Sequence, residues 1–269
     1  MILTKLQSFI RRDYIIASSY KLNFFLSFLS STFPVISLFF ISKLVGGSST
    51  SSLEKYGGSY FSFALIGISF TRFFQLAVDT FSGSIKRAQS AGCLEAILSS
   101  QTDSKTVVVL SSVYSFLSSG IQLIFMILLG ILFFNFSFAN CNILSTSISF
   151  LISLIAFVSI GIFSAAGTVI FKQGEPVGWF FGAVSALLSG SVFPVSVMPE
   201  WLQYISAILP TTYALDALRL SMLQNFSLDM LGYRLVILAT MALILFPLSL
   251  KTFQWAVERG KKDGTLMQY

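Results

Sequence analysis

Long apolar stretches that carry almost no charge recur along this chain, and they leave it few folds to choose from. They fall at 24–41, 60–81, 107–134, 143–171, 179–193 and 235–250, the fifth being the shortest. A helix needs about 20 predominantly apolar residues to cross the hydrocarbon core of a bilayer, and tilt or local thinning absorbs modest differences in length. Of the 269 residues, 55% are hydrophobic and only 10% are charged. A water-soluble core could not hide that much apolar surface. The expected fold class is an all-α polytopic membrane protein, one transmembrane domain over 1–269 with six spans.

Charge placement sets the expected orientation. With both termini cytoplasmic, the inner side carries Lys5, Arg11, Arg12, Lys21, Lys86, Arg87, Lys105, Lys172, Lys251, Arg259, Lys261 and Lys262. The outer side keeps Lys43, Lys55, Arg219 and Arg234. That asymmetry follows the positive-inside rule, so the net charge of +6 reports topology rather than nucleic-acid binding. Ahead of the first span, Leu3, Leu6, Ile10, Tyr14 and Ala17 share a helical face, with Lys5, Arg11 and Arg12 mostly elsewhere. A short helix over 1–18 lying in the inner interface uses such a pattern; the plainer alternative is an extension of the first span. The first apolar run is long and no small-residue cleavage pattern follows it, so it reads as an uncleaved span. The segment 251–269 reads as a cytoplasmic tail.

Cysteine and histidine usage narrows the chemistry. Cys93 falls in an inner loop and Cys141 near the outer surface, a placement that forbids their pairing within one chain. Histidine is absent, which removes His-dependent base catalysis and the commonest zinc ligand. No metal-ligand spacing occurs.

Three places draw functional interest. The inner loop 84–106 holds Gly92, after which Leu94, Ile97 and Leu98 share a helical face with Glu95 pointing away. A short helix of that kind can dock another protein or pack on its own membrane domain. Within the second span, Arg72 and Asp79 lie seven residues apart, on nearly the same helix face. Charge at such depth costs a few kcal/mol, so the pair lines a polar cavity or a subunit interface, or else each residue snorkels to its nearer surface. The third place is the run from Gly190 to Arg219, where Pro194, Pro199 and Pro210 cut an apolar, aromatic stretch into pieces. Broken helices at membrane depth are tolerated only where they pack on protein or line a cavity, which points to a pathway and so to transport. Pro199 and Glu200 suit the start of a helix running through Leu209, and Thr211 or Thr212 could cap the next helix, bearing Tyr213, Asp216 and Arg219. At a spacing of three, Asp216 and Arg219 can form a structural ion pair, which we favour over direct substrate contact.

Taken in order, these places resemble the permease subunits of type-2 ABC exporters. The resemblance runs nearly end to end: the N-terminal helix, Gly92-Cys93-Leu94-Glu95, Gly174-Glu175-Pro176, and the stretch from Phe193 to Arg219. The last is the most specific. The family pattern F-P-x-x-x-x-P-x-W-L is met by Phe193, Pro194, Pro199, Trp201 and Leu202. The pattern L-P-x-T-Y-A-L-x-A-L-R is met by Leu209, Pro210, Thr212, Tyr213, Ala214, Leu215, Ala217, Leu218 and Arg219.

The resemblance implies that Gly92, Leu94, Glu95, Ile97 and Leu98 form a coupling helix that fits a cleft on an ATP-binding subunit. The family's G-T-x-E has Cys93 in place of the threonine here. It also implies that 194–224 forms outer re-entrant helices, in which Pro194, Pro199, Trp201, Pro210, Tyr213, Asp216 and Arg219 are structural. Two permeases, alike or related, would face each other in the plasma (inner) membrane of a prokaryote. This chain would bind no cofactor, since it has no G-x-x-x-x-G-K-[ST] cradle; ATP and Mg would sit on the partner subunit. The cargo implied is amphipathic: a glycan, a lipid-linked glycan or a drug-like molecule. From other classes, an ATP-independent scaffold or channel lacks a repeated pore-lining element or charged ring. An intramembrane enzyme lacks a Ser–His site, which leaves a Ser–Lys site or a carboxylate dyad, and Asp79 has no obvious intramembrane carboxylate partner.

Overall fold

Apolar side chains in unbroken runs, with few glycines or prolines between, favour helices that satisfy their own backbone polar groups in a bilayer. The computed structural model describes residues 7–8, 10–11, 14–15, 19–45, 51–90, 104–138, 140–171 and 176–262. Its main helices are α1 (Lys21–Val45), α2 (Tyr60–Ser90), α3 (Ser104–Phe134), α4 (Ile143–Phe171), α5 (Pro176–Leu188), α6 (Glu200–Ile208), α7 (Pro210–Leu223) and α8 (Leu228–Lys262). A helical turn at Ser51–Glu54 and a 3-10 turn at Val195–Val197 complete the regular structure, and no strand occurs among the described residues. The fold class expected from sequence is therefore met in its coarse form, an all-helical membrane protein.

Among the described residues, five helices are long and apolar enough to cross a bilayer: α1, α2, α3, α4 and α8. The fifth of the six expected spans is the 13-residue α5. At 1.5 Å per residue it covers about 20 Å, against roughly 30 Å of hydrocarbon. The last helix is far longer than its apolar run, because helical structure continues through charged residues as far as Lys262.

At the centre lies α4, packed most extensively on α8 and also on α2, α7 and α5. Ser145, Ser149 and Ser153 repeat every fourth residue along α4 and are fully buried. Their hydroxyls fold back on the helix, Ser149 onto the Ser145 carbonyl at 2.7 Å and Ser153 onto the Ser149 carbonyl at 2.6 Å. Small side chains that satisfy themselves let neighbouring helices approach closely. Below them Phe74 of α2 stacks on Phe157 of α4, with ring centroids 3.9 Å apart. In contrast, α1 and α3 expose apolar side chains such as Phe33, Phe40, Leu132 and Phe133, the surface that lipid would cover.

Contacts fix which ends meet. The turn before α2, the starts of α4 and α8, and α7 come together at one face, where Lys55 reaches Asp216 and the Asn142 amide donates to the Ser221 carbonyl. From the other end α5 runs back along α2. Gly178 lies beside Asp79, Gly182 beside Gln75, and Ser191, just past α5, beside Gly67. Those contacts cover about 18 Å of α2.

Candidate functional site

The segment after α5 is shaped by its prolines and one glycine. Gly190 adopts φ +75°, the left-handed conformation that ends α5. Pro199 is the N-cap of α6, and Glu200 occupies its first turn, where a carboxylate suits the helix dipole. That start agrees with the sequence reading. The next boundary differs from it: Leu209 is both the C-cap of α6 and the N-cap of α7, and Pro210 opens α7 where a missing N–H costs nothing. Thr211 and Thr212 therefore do not cap α7. The Thr211 hydroxyl donates to Ser185 Oγ at 3.2 Å and that of Thr212 to the Ser206 carbonyl at 2.7 Å, tying α7 to α5 and α6.

Arg219 is the knot of this region. Only 2% exposed, it donates from Nε to the Phe63 carbonyl at 3.0 Å, from Nη1 to Gly190 at 2.8 Å and from Nη2 to Ser191 at 2.7 Å. Its guanidinium lies 3.5 Å from the centre of the Phe63 ring. Burial pulls it down to about 10, still protonated at neutral pH. Gly67 makes the approach possible, since a Cβ there would overlap the Ser191 carbonyl and the guanidinium.

Asp216, one turn earlier, does not pair with Arg219 among the described residues; the spacing permits contact, but each side chain finds nearer partners on other elements. Asp216 accepts from the Tyr56 hydroxyl at 2.6 Å, from Lys55 Nζ at 3.1 Å and from Arg234 Nε. Burial works to raise its carboxyl, but the Tyr56 hydrogen bond, Lys55 and Arg234 outweigh it and hold the group below the usual carboxylate range. Tyr56 is pushed up in turn, by burial first and then by the Asp216 charge. These groups border a cavity of about 340 Å³ that Ser189, Gln203, Tyr213 and Tyr233 also line. Pro194 lines it too, and Trp201 is exposed on α6.

The pair in α2 points to two different neighbours. Arg72 reaches α1, with Nη2 donating to Ser30 Oγ at 3.1 Å and Nη1 to the Ser30 carbonyl at 3.4 Å. That carbonyl would ordinarily receive the N–H of residue 34, which is a proline. Asp79 instead accepts from Gln75 Nε2 at 2.8 Å, and the same amide donates to the Gly178 carbonyl at 3.2 Å. Seven residues are about 10 Å along a helix axis, so a shared face does not bring Arg72 and Asp79 into contact.

Local spacing gave no sign of Lys55, Tyr56 and Arg234 as partners of Asp216, or of Gln75, Gly67 and Ser30. Usable signals were two. Lys55 and Tyr56 stand just before the Gly57-Gly58 turn, and Arg234 stands at the head of an otherwise apolar run. The coupling residues Gly92, Leu94, Glu95, Ile97 and Leu98 lie outside the described residues, as do Cys93, most of 1–18, Gly174 and Glu175, and 263–269. Cys141 is a free thiol.

A family profile described as ABC-2 type transporter matches residues 4–223. The chain belongs to the ABC-2 type transporter family. A comparison with curated proteins finds no match. As an ABC-2 chain it is a transporter permease, the membrane component and not itself catalytic, and a multi-pass membrane protein. The ABC-2 match ends with α7, and so takes in the Arg219 knot and Asp216 but not Arg234.

Proposed function

We propose that this permease is the membrane subunit of an ATP-driven exporter, coupling hydrolysis on a separate ATP-binding subunit to the export of an amphipathic substrate. The observation that carries the reading is the ABC-2 match over residues 4–223, a range that includes the 92–98 loop and ends with α7. The coupling helix is Gly92 to Leu98, with Leu94, Ile97 and Leu98 seated in a cleft of the ATPase and Glu95 at its rim. ATP and Mg are held by that partner. Two permeases, identical or related, enclose the pathway, and closure of the ATPases becomes rigid-body movement of the spans.

In this reading both termini are cytoplasmic, the membrane is the prokaryotic plasma membrane, and the Asp216 face is the outer one. The chain crosses six times, with α5 as the fifth crossing. Support comes from α5 tracking α2 from Asp79 up to Gly67, and from the start of α8 lying at the face that α5 approaches. The α6–α7 pair is the outer re-entrant hairpin. Arg219 hydrogen-bonds to Phe63, in the first turn of α2, which suits a helix pair dipping below the surface.

The test is ATP-driven transport by the permease purified with its ATPase and reconstituted in liposomes. Glu95→Ala and Leu98→Ala should lower transport at least tenfold while leaving the permease folded. Undiminished transport in both variants would remove the coupling assignment, and transport with no ATPase present would remove the exporter reading.

A further inference from the structure

We infer that the cavity bordered by Lys55, Asp216 and Arg234 is a binding site for an oxyanion, the phosphate or carboxylate group of a ligand. This goes beyond the exporter reading and does not require it. The first argument is charge. Among the described residues three cations, Lys55, Arg219 and Arg234, line the cavity against a single carboxylate, Asp216. Arg219 spends its hydrogen bonds on carbonyls, which carry no net charge. Lys55 and Arg234 share the same carboxylate. Two positive charges are left over in a partly enclosed site, where unbalanced charge is costly.

The second argument is donors. Of the Arg234 guanidinium only Nε is engaged within the protein among the described residues, by Asp216. Its terminal nitrogens keep the planar fork that fits phosphate and carboxylate oxygens. Lys55 is 48% exposed, so its ammonium can be reached without unfolding anything. Ser189 adds an independent observation. It lines the cavity, is 1% exposed, and its hydroxyl has no hydrogen-bond partner among the described residues. Buried polar groups are nearly always satisfied; this hydroxyl is closed off from solvent, and a turn of the side chain would present it to a ligand oxygen. The volume of about 340 Å³ falls in the range of small-molecule sites.

An oxyanion fits these features better than a neutral or cationic ligand. It can take the free Arg234 nitrogens and Lys55 while Asp216 keeps Arg234 Nε. The ligand can be a soluble phosphate compound or the headgroup of an anionic lipid, and the chemistry of the site is the same for both.

The experiment uses the full chain in phosphatidylcholine nanodiscs titrated with inorganic pyrophosphate by calorimetry. In a parallel arm, the chain is taken from mixed phosphatidylcholine–phosphatidylglycerol nanodiscs and its retained lipid is read by native mass spectrometry. Wild type should bind in at least one arm, with a Kd of roughly 1 mM or tighter for pyrophosphate or retention of phosphatidylglycerol over phosphatidylcholine. Pyrophosphate binding alone identifies a soluble ligand, and lipid retention alone a headgroup. Lys55→Gln and Arg234→Gln should each weaken binding about tenfold. Asp216→Asn should tighten it several-fold, a gain that a merely structural role for the cluster would not produce. Ser189→Ala weakens it less, and keeps the test sound should an Arg234 variant fail to fold. Absence of binding in both arms, or binding unmoved by K55Q and S189A, overturns the inference. No ATPase enters the measurement, so its result is separate from that of the transport assay.

Discussion

Asp216 and Arg219 stand one turn apart on α7, yet they are accommodated in opposite ways. Arg219 is 2% exposed and bonded to three backbone carbonyls from two other segments of the chain. Asp216 lies at a cavity wall, held by the tips of three side chains, two of them charged. Backbone carbonyls cannot move away without unravelling the segment that carries them, whereas a lysine or tyrosine tip can rotate away. The first arrangement therefore fixes a fold. The second can exchange partners, as a binding site must.

The sharpest way to break this contrast is at Arg219. Arg219→Met should strand the Gly190 and Ser191 carbonyls without a donor, costing about 3–5 kcal/mol. Arg219→Lys keeps the charge but offers a single nitrogen where a fork is needed, and should recover less than half of the loss. Gly67→Ala should destabilise less, by about 1–3 kcal/mol, since the added methyl meets backbone and guanidinium together. Apparent melting temperature and monodispersity in detergent read all three. A folded, wild-type-like Arg219→Met protein would show that the knot is dispensable.

At Asp216 the effect should be smaller. Asp216→Asn should cost about 1–2 kcal/mol, because Lys55 is half exposed and can turn to water while the more buried Arg234 is left against a neutral amide. The carboxyl is depressed in the folded state, so its ionised form stabilises the fold. That contribution should be complete above the unfolded value of about 3.9 and should disappear as pH falls through the lower folded value. Melting curves of wild type and Asp216→Asn should differ at pH 6 and converge as pH is lowered below about 4. A difference that grows with acid would mean that the carboxyl is raised and the cluster misread.

The sequence revealed these elements unevenly, for physical reasons. Apolar runs announced the spanning helices, since burial in lipid demands an unbroken stretch of such residues. Pro194, Pro199 and Pro210 announced the break, and the start of α6 at Glu200 follows from backbone restriction alone. The partners of α7 could not be read in this way. Local spacing allowed Asp216 to meet Arg219, but the Tyr56 and Lys55 contacts join residues 160 and 161 positions away. Such contacts are set by how α2 and α8 pack, which no local pattern encodes. Thr211 and Thr212 misled for a related reason. They are good capping residues, but Pro210 already occupies the first helical position, and their hydroxyls lie nearer Ser185 and Ser206.

The contrast extends to a weaker case, Arg72, which combines the two modes by binding one carbonyl and one hydroxyl of the same residue. Its carbonyl partner exists because Pro34 cannot supply an N–H to Ser30. If that is why the arginine is held there, restoring the N–H should make it less necessary. Arg72→Met should cost about 1 kcal/mol in the native background. In a Pro34→Ala background residue 34 regains its N–H, the Ser30 carbonyl is satisfied within α1, and the same substitution should cost less. The double-mutant cycle should give a coupling of about 0.5–1 kcal/mol. Additivity within about 0.3 kcal/mol would detach Arg72 from the proline and return it to the pathway wall or the subunit interface.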